Sequence, residues 1–224
     1  MLAANAGAPG SPPLGHRPLY HHLLAHYETL AMLGGRSFEI RTSGEEHLRE
    51  ALARADHTGA GGLILATVHA GNWTLGGLLI RERTGRSIHT IAGTQITRGW
   101  TGELRRLCRA RGIRIHSKRG STPRLLRVLR AGGIVALHLD GDQHAKSGIA
   151  TRGASLLSRR SGAPILPGVC ERVAPGVFVA RFWPPFDGGE AAPSPARLEE
   201  TILALVRGRA DQWALFRPLW GRAA

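Results

Sequence analysis

Three polar clusters in this 224-residue sequence carry side chains able to move a proton, hold an anion or bind a metal. The first is His69, which ends an apolar run and is followed by Gly71, Asn72, Trp73 and Thr74. An imidazole is the side chain best suited to general-base work near neutral pH. The second is the pair Lys118-Arg119, ahead of a helix-like stretch from Thr122, where an anion clamp would sit. The third is His138, Asp140, Asp142 and His144, at alternate positions leaving another apolar run. Along extended chain such side chains share one face, and divalent metals accept this ligand set. Each cluster also has an ordinary reading. His69 would be a hydrogen-bonded core histidine, Lys118-Arg119 a solvated turn, and the third cluster a loop whose acids bond backbone or arginine. Gly71 and Asn72 suit a turn and a helix N-cap.

The elements that must position these clusters alternate. Residues 63–68 are apolar, β-branched at the end and bracketed by glycines, which reads as a buried strand. Leu75, Leu78, Leu79 and Ile80 then fall on one helical face, in a helix reaching about residue 84. His69 therefore stands where a strand ends and a helix begins. Ligands bind at that carboxyl end in open α/β sheets, and the helix start offers free N–H groups to a negative charge. Further strands are read over residues 38–41, 87–92, 113–115, 133–139, 164–170 and 177–182. Helices are read over residues 18–33, 45–55, 101–111, 122–130, 151–160 and 195–208. The alternation predicts a single-domain α/β sandwich with a largely parallel central sheet flanked by helices.

The first helix has Leu19, Leu23, Leu24, Tyr27, Leu30 and Leu33 on one apolar face. It is expected to pack on the domain or to lie in a membrane interface. His22 and His26 have an i, i+4 spacing that can bind metal but lack a third ligand. Residues 1–16 are rich in Gly, Pro and Ala and are expected to be a disordered arm. Residues 212–220 carry aromatics that read as exposed.

Length and composition exclude several classes. A chain of this size buries roughly 70–75% of its unfolded surface and needs no staples. Cys108 and Cys170 lie in different elements and suggest neither a disulfide frame nor a metal knuckle. The N-terminus lacks the pattern of a secretory signal, and no apolar run approaches the ~20 residues of a membrane span. A soluble or peripheral protein is expected. There is no Walker loop, no Gly-x-Gly-x-x-Gly and no Gly-x-Ser-x-Gly elbow. The formal net charge of +14 predicts attraction to something anionic: headgroups, an acidic carrier protein or nucleic acid. Only Lys118 and Lys146 among the 30 basic residues are lysines, as a GC-rich genome produces, so the choice of arginine says little.

Five pieces occur in order: HAGNW, an arginine-bearing loop before a helix, GGIVALHLDGDQ, SRRSGAPILP and ADQWALFRPLW. Together they resemble the bacterial lipid A biosynthesis acyltransferases, within the lysophospholipid acyltransferase superfamily, over about residues 20–220. The resemblance implies a glycerolipid acyltransferase-like domain over residues 17–224. It implies acyl transfer from an acyl carrier protein or acyl-CoA thioester to a lipid or glycolipid hydroxyl, at the cytoplasmic face of the inner membrane. It makes His69 the catalytic histidine and Asp140 and Asp142 the acidic pair. Gly71, Asn72, Trp73, Thr74 and Arg119 become substrate-binding positions, and Gln212-Trp213 matches a C-terminal signature. No metal or resident cofactor is implied.

The family's His-x4-Asp/Glu motif places its acid at position 74, where this chain has Thr74. Its usual N-terminal membrane helix and an aromatic-glycine strand before residue 151 are not seen. In the implied mechanism His69 takes the proton of the acceptor hydroxyl. Arg119, or the backbone N–H groups of residues 71–73, would hold the oxyanion. Asp140 or Asp142, on a neighbouring strand end, could supply the carboxylate that Thr74 does not. Three other functions compete. One is a weakened or repurposed acyl- or lipid-binding relative, supported by Thr74. Another is a metal-dependent hydrolase using His69, Asp140, Asp142 and His144. The last is nucleic-acid binding, ranked lowest because basic residues are spread along the chain without a binding motif.

Overall fold

The computed structural model describes residues 16–57, 59, 61–92, 100–140 and 150–214. Most of the expected arm and the last ten residues fall outside them, as do Asp142 and His144. The chain runs α1 (Arg17–Leu33), β1 (Glu39–Ser43), α2 (Glu45–His57), β2 (Leu63–Thr67), α3 (Trp73–Thr84), β3 (Ile88–Ala92) and α4 (Trp100–Ala110). It continues with β4 (Ile113–Ser117), α5 (Thr122–Arg130), β5 (Ile134–His138), α6 (Thr151–Ser161), β6 (Ile165–Ala174), β7 (Val177–Phe182) and α7 (Pro195–Arg207). Seven strands form one sheet in the order β1-β7-β6-β2-β5-β3-β4. All neighbours are parallel except the β6–β7 hairpin, so β1 and β7 run against the other five.

Two apolar layers sandwich the sheet, and the period of two along a strand decides which residue enters which. Ile64 and Ala66 of β2 join Val135 and Leu137 of β5 beneath α5, α6 and α7. Leu63 and Leu65 join Ile134 and Ala136 on the other face, beneath α2, α3 and α4. Burial on both faces explains why β2 reads as an unbroken apolar run.

The helix α1 departs from the sequence reading. Its packed side is Ala25, Glu28, Thr29, Met32 and Leu33, while Leu19, Leu23 and Tyr27 point outward with Tyr20. What fixes α1 is polar. Buried Arg172 on β6 donates from Nε (2.8 Å) and Nη2 (2.5 Å) to the two carboxylate oxygens of buried Glu28. Two buried charges hold one register because leaving either alone would be far worse.

Candidate active site

The register places the site. Thr67 of β2 pairs with His138, the last residue of β5. His69 lies two residues beyond Thr67 and shares its side of the sheet, as does His138. The two imidazoles stack, with centroids 4.4 Å apart and planes at 28°. The Trp73 indole, at the first position of α3, meets both rings edge-on, at 5.3 Å from His69 and 5.5 Å from His138. One residue past Leu139 the chain turns, and Asp140 comes across to His69. Its Oδ1 lies 2.8 Å from His69 Nδ1, and its Oδ2 accepts the His69 backbone N–H at 2.7 Å. Trp213 Nε1 donates to the same Oδ2 at 2.7 Å. Asp140 is 0% exposed, whereas the His69 side chain keeps 28% of its surface open.

Burial alone would raise the Asp140 carboxyl. The His69 imidazole beside it, with its hydrogen bonds, holds the group below the ordinary carboxylate value. Burial, reinforced by His69, pushes the His138 imidazole down to about 3 against the pull of Asp140, so His138 stays neutral at working pH. Asp140 thus fixes the ring and tautomer of His69 from a strand 71 residues away. Thr74, at the position of the family's acid, takes another place. It lines a small cavity of about 60 Å³ between α1 and α3, with His26, Thr29, Asn72 and Trp73.

The loop from His69 to Asn72 is stitched down. Gly71 has φ 64°, and a Cβ there would stand 2.0 Å from the Cys170 carbonyl oxygen, so only glycine fits. Gly71 N–H donates to the Gln212 carbonyl (3.2 Å) and Asn72 N–H to the Cys170 carbonyl (2.8 Å). This corrects the expectation that these amides hold an oxyanion: both are spent on packing the loop against β6 and the C-terminal segment. Asn72 itself is buried. Its Oδ1 caps α3 by accepting Leu75 N–H (3.2 Å), and its Nδ2 donates to the Ala25 carbonyl (3.1 Å). It fastens α1 to α3 and is not open to a substrate. Only Trp73 and Thr74, in the first turn of α3, remain as amides without an intrahelical acceptor.

Arg119 is exposed in the turn after β4. Three strand spacings, about 14 Å, separate β4 from β2, and the structure does not bring Arg119 to His69. Asp140 spends both oxygens on His69 and Trp213. Among the described residues no group of three or more His, Cys, Asp or Glu is placed to hold a metal. Asp142 and His144 lie outside the described residues. Sequence reading missed the roles of Trp213 and His138. Trp213 is 2% exposed, not the surface aromatic expected. Its signal was the Gln-Trp pair, whose glutamine side chain brackets the backbone of Arg172 at 2.9 Å in both directions.

A model of the family described as bacterial lipid A biosynthesis acyltransferase matches residues 29–222. No curated protein matches the chain. Among solved structures, the chain is similar to the 1-acyl-sn-glycerophosphate (LPA) acyltransferase PlsC from Thermotoga maritima, with a TM-score of 0.50 and 12% identity. That likeness covers 88% of this chain and 81% of the other, and at such identity it speaks to the fold.

Proposed function

Since this chain belongs to the bacterial lipid A biosynthesis acyltransferase family, we propose that His69 is the general base of an O-acyl transfer. The donor is an acyl thioester of acyl carrier protein or coenzyme A. The acceptor is a hydroxyl of an anionic lipid or glycolipid at the cytoplasmic surface of the inner membrane. The observation that carries this reading is the His69–Asp140 contact, with a buried carboxylate on Nδ1 and the rest of the ring open. His69 Nε2 accepts the hydroxyl proton, the freed oxygen attacks the thioester carbonyl, and the tetrahedral centre collapses to ester and thiolate. Asp140 stabilises the imidazolium formed meanwhile. In this reading Asp140, two residues past the end of β5, takes the role of the acid that Thr74 replaces, and its contact with His69 Nδ1 supports that. The reading calls for no resident cofactor.

Two surfaces support a lipid substrate. Along α3 a groove of about 440 Å³ is lined by apolar residues, among them Phe38, Leu75 and Leu78, and by Arg36, Arg81 and Arg111 with one acid, Glu82. Apolar residues with a net basic charge suit an acyl chain on an anionic molecule. Among the described residues, Leu19, Tyr20, Leu23 and Tyr27 of α1 are four of the six large apolar side chains left exposed. Such a stripe suits the bilayer interface. No described helix is long and apolar enough to cross a membrane.

The test is transfer of a labelled acyl group from acyl carrier protein or CoA to membrane lipids. His69→Ala should fall to background, and Thr74→Glu should give no gain, since Nδ1 already has its carboxylate. An unchanged rate in His69→Ala would end the catalytic reading. A large gain in Thr74→Glu would favour a weakened relative.

A further inference from the structure

His138 Nε2 is buried and, among the described residues, has no hydrogen-bond partner. Buried polar atoms are nearly always paired, and leaving one an orphan destabilises the fold. A phenylalanine would fill a similar space, keep the stack on His69 and carry no such penalty. Stability therefore does not account for the histidine.

The site also has few uncommitted donors. An acyl transfer needs a donor for the charge that grows on the carbonyl oxygen. Gly71 N–H and Asn72 N–H are already committed, and Arg119 stands across the sheet, which leaves the Trp73 and Thr74 amides at the start of α3 and the side chains around His69. His138 is stacked on the base itself, 4.4 Å between centroids. Two hydrogen bonds and one carbonyl readily span the nitrogens of rings so close.

We propose that His138 is a second catalytic residue, whose Nε2–H donates to the thioester carbonyl oxygen as it becomes an oxyanion. The inference rests on the acyl-transfer reading above. The acceptor's O–H proton goes to His69 Nε2, and its oxygen forms the new C–O bond. The carbonyl π pair moves onto oxygen, where His138 N–H holds it. On collapse that pair returns, the C–S bond breaks, and the thiolate takes the proton from His69. A neutral imidazole suits the role, because it can donate without placing a second positive charge against His69 as that ring becomes protonated. The neutral ring carries one N–H, and the proposal puts it on Nε2. The atom is covered in the free protein, and such contacts tighten when substrate enters.

The test compares wild type with His138→Phe and His138→Gln by steady-state acyl transfer and by thermal melting. Phe should lower kcat by on the order of 10²–10³, with KM for the donor little changed and the melting midpoint equal or higher. Gln, which keeps an N–H, should recover part of the rate. A Phe variant with wild-type kcat would overturn the proposal, reducing the ring to a stacking surface. So would a Phe variant that melts early, or a Gln variant no faster than Phe. His69→Ala separates the two readings. If it is inactive while His138→Phe is active, only the oxyanion assignment falls; if it is active, the base reading itself falls.

Discussion

Among the described residues, two pairs of stacked imidazoles stand on this sheet. His69 and His138 meet at the ends of β2 and β5, at 4.4 Å and 28°. His89 and His116 meet within β3 and β4, at 5.1 Å and 18°. In the second pair the rings bond each other, His89 Nδ1 to His116 Nε2 at 2.9 Å, and Ser87 Oγ closes the far side of His89 at 3.0 Å. Burial, then His116 and Arg114, push His89 down to about 4. Burial and the charges of Arg124, Arg114 and Arg105 lower His116 too. Among the described residues that pair has positive neighbours and no carboxylate contact. The first pair has Asp140 across from one nitrogen and an open edge. Stacking and burial are common to both, so they do not make a base. The carboxylate and the strand-end position set His69 apart, and they are what support the proposed base.

Asp140→Asn would make the inner pair resemble the outer one. It should lower kcat by about 10⁴, the loss seen when a triad carboxylate becomes an amide, measured by acyl transfer. His89→Leu should leave kcat unchanged. A comparable loss in both variants would break the distinction. Trp213→Phe is milder, because it strips one donor from Oδ2 while the bond to His69 stays. A hydrogen bond to a charged group contributes roughly 1.5–3 kcal/mol, so kcat should fall ~10–10²-fold. An unchanged kcat would show that Asp140 keeps its place on His69 without the indole.

The smallest effect concerns stability. His89 binds its proton only near pH 4, whereas an unfolded histidine binds it near 6.5. The unfolded chain therefore holds more protons between these values, and stability must fall as pH drops through that window. The urea midpoint should decline from pH 6.5 towards 4, less steeply in His89→Leu than in wild type. Equal slopes would remove His89 as a cause.

The elements of this fold were legible because their signals are local. The run before His69 and the run before Asp140 are each buried on both faces, and α5 and β7 fall on the residues expected. The strand order was not legible. β5 is the neighbour of β2, while β3 and β4, which come between them in the chain, lie outside. That order alone brings Asp140 to His69, and nothing within a window of ten residues encodes it. Asp140 could be named as a candidate carboxylate, but not chosen over Asp142. Trp213 misled for a similar reason. Its neighbours Arg209, Asp211 and Gln212 are polar, so it read as surface. Tertiary contact buried the indole to reach one oxygen.

The Glu28–Arg172 pair ties the front of the chain to the floor of the site. The family match begins at residue 29, one position after Glu28. A protein trimmed to that matched span would strand the guanidinium of Arg172 without its Glu28 partner. It would also take away the Ala25 carbonyl that anchors Asn72 in the loop after His69. The first helix is thus part of the working enzyme, and its boundary as a unit lies upstream of where its relatives' likeness starts.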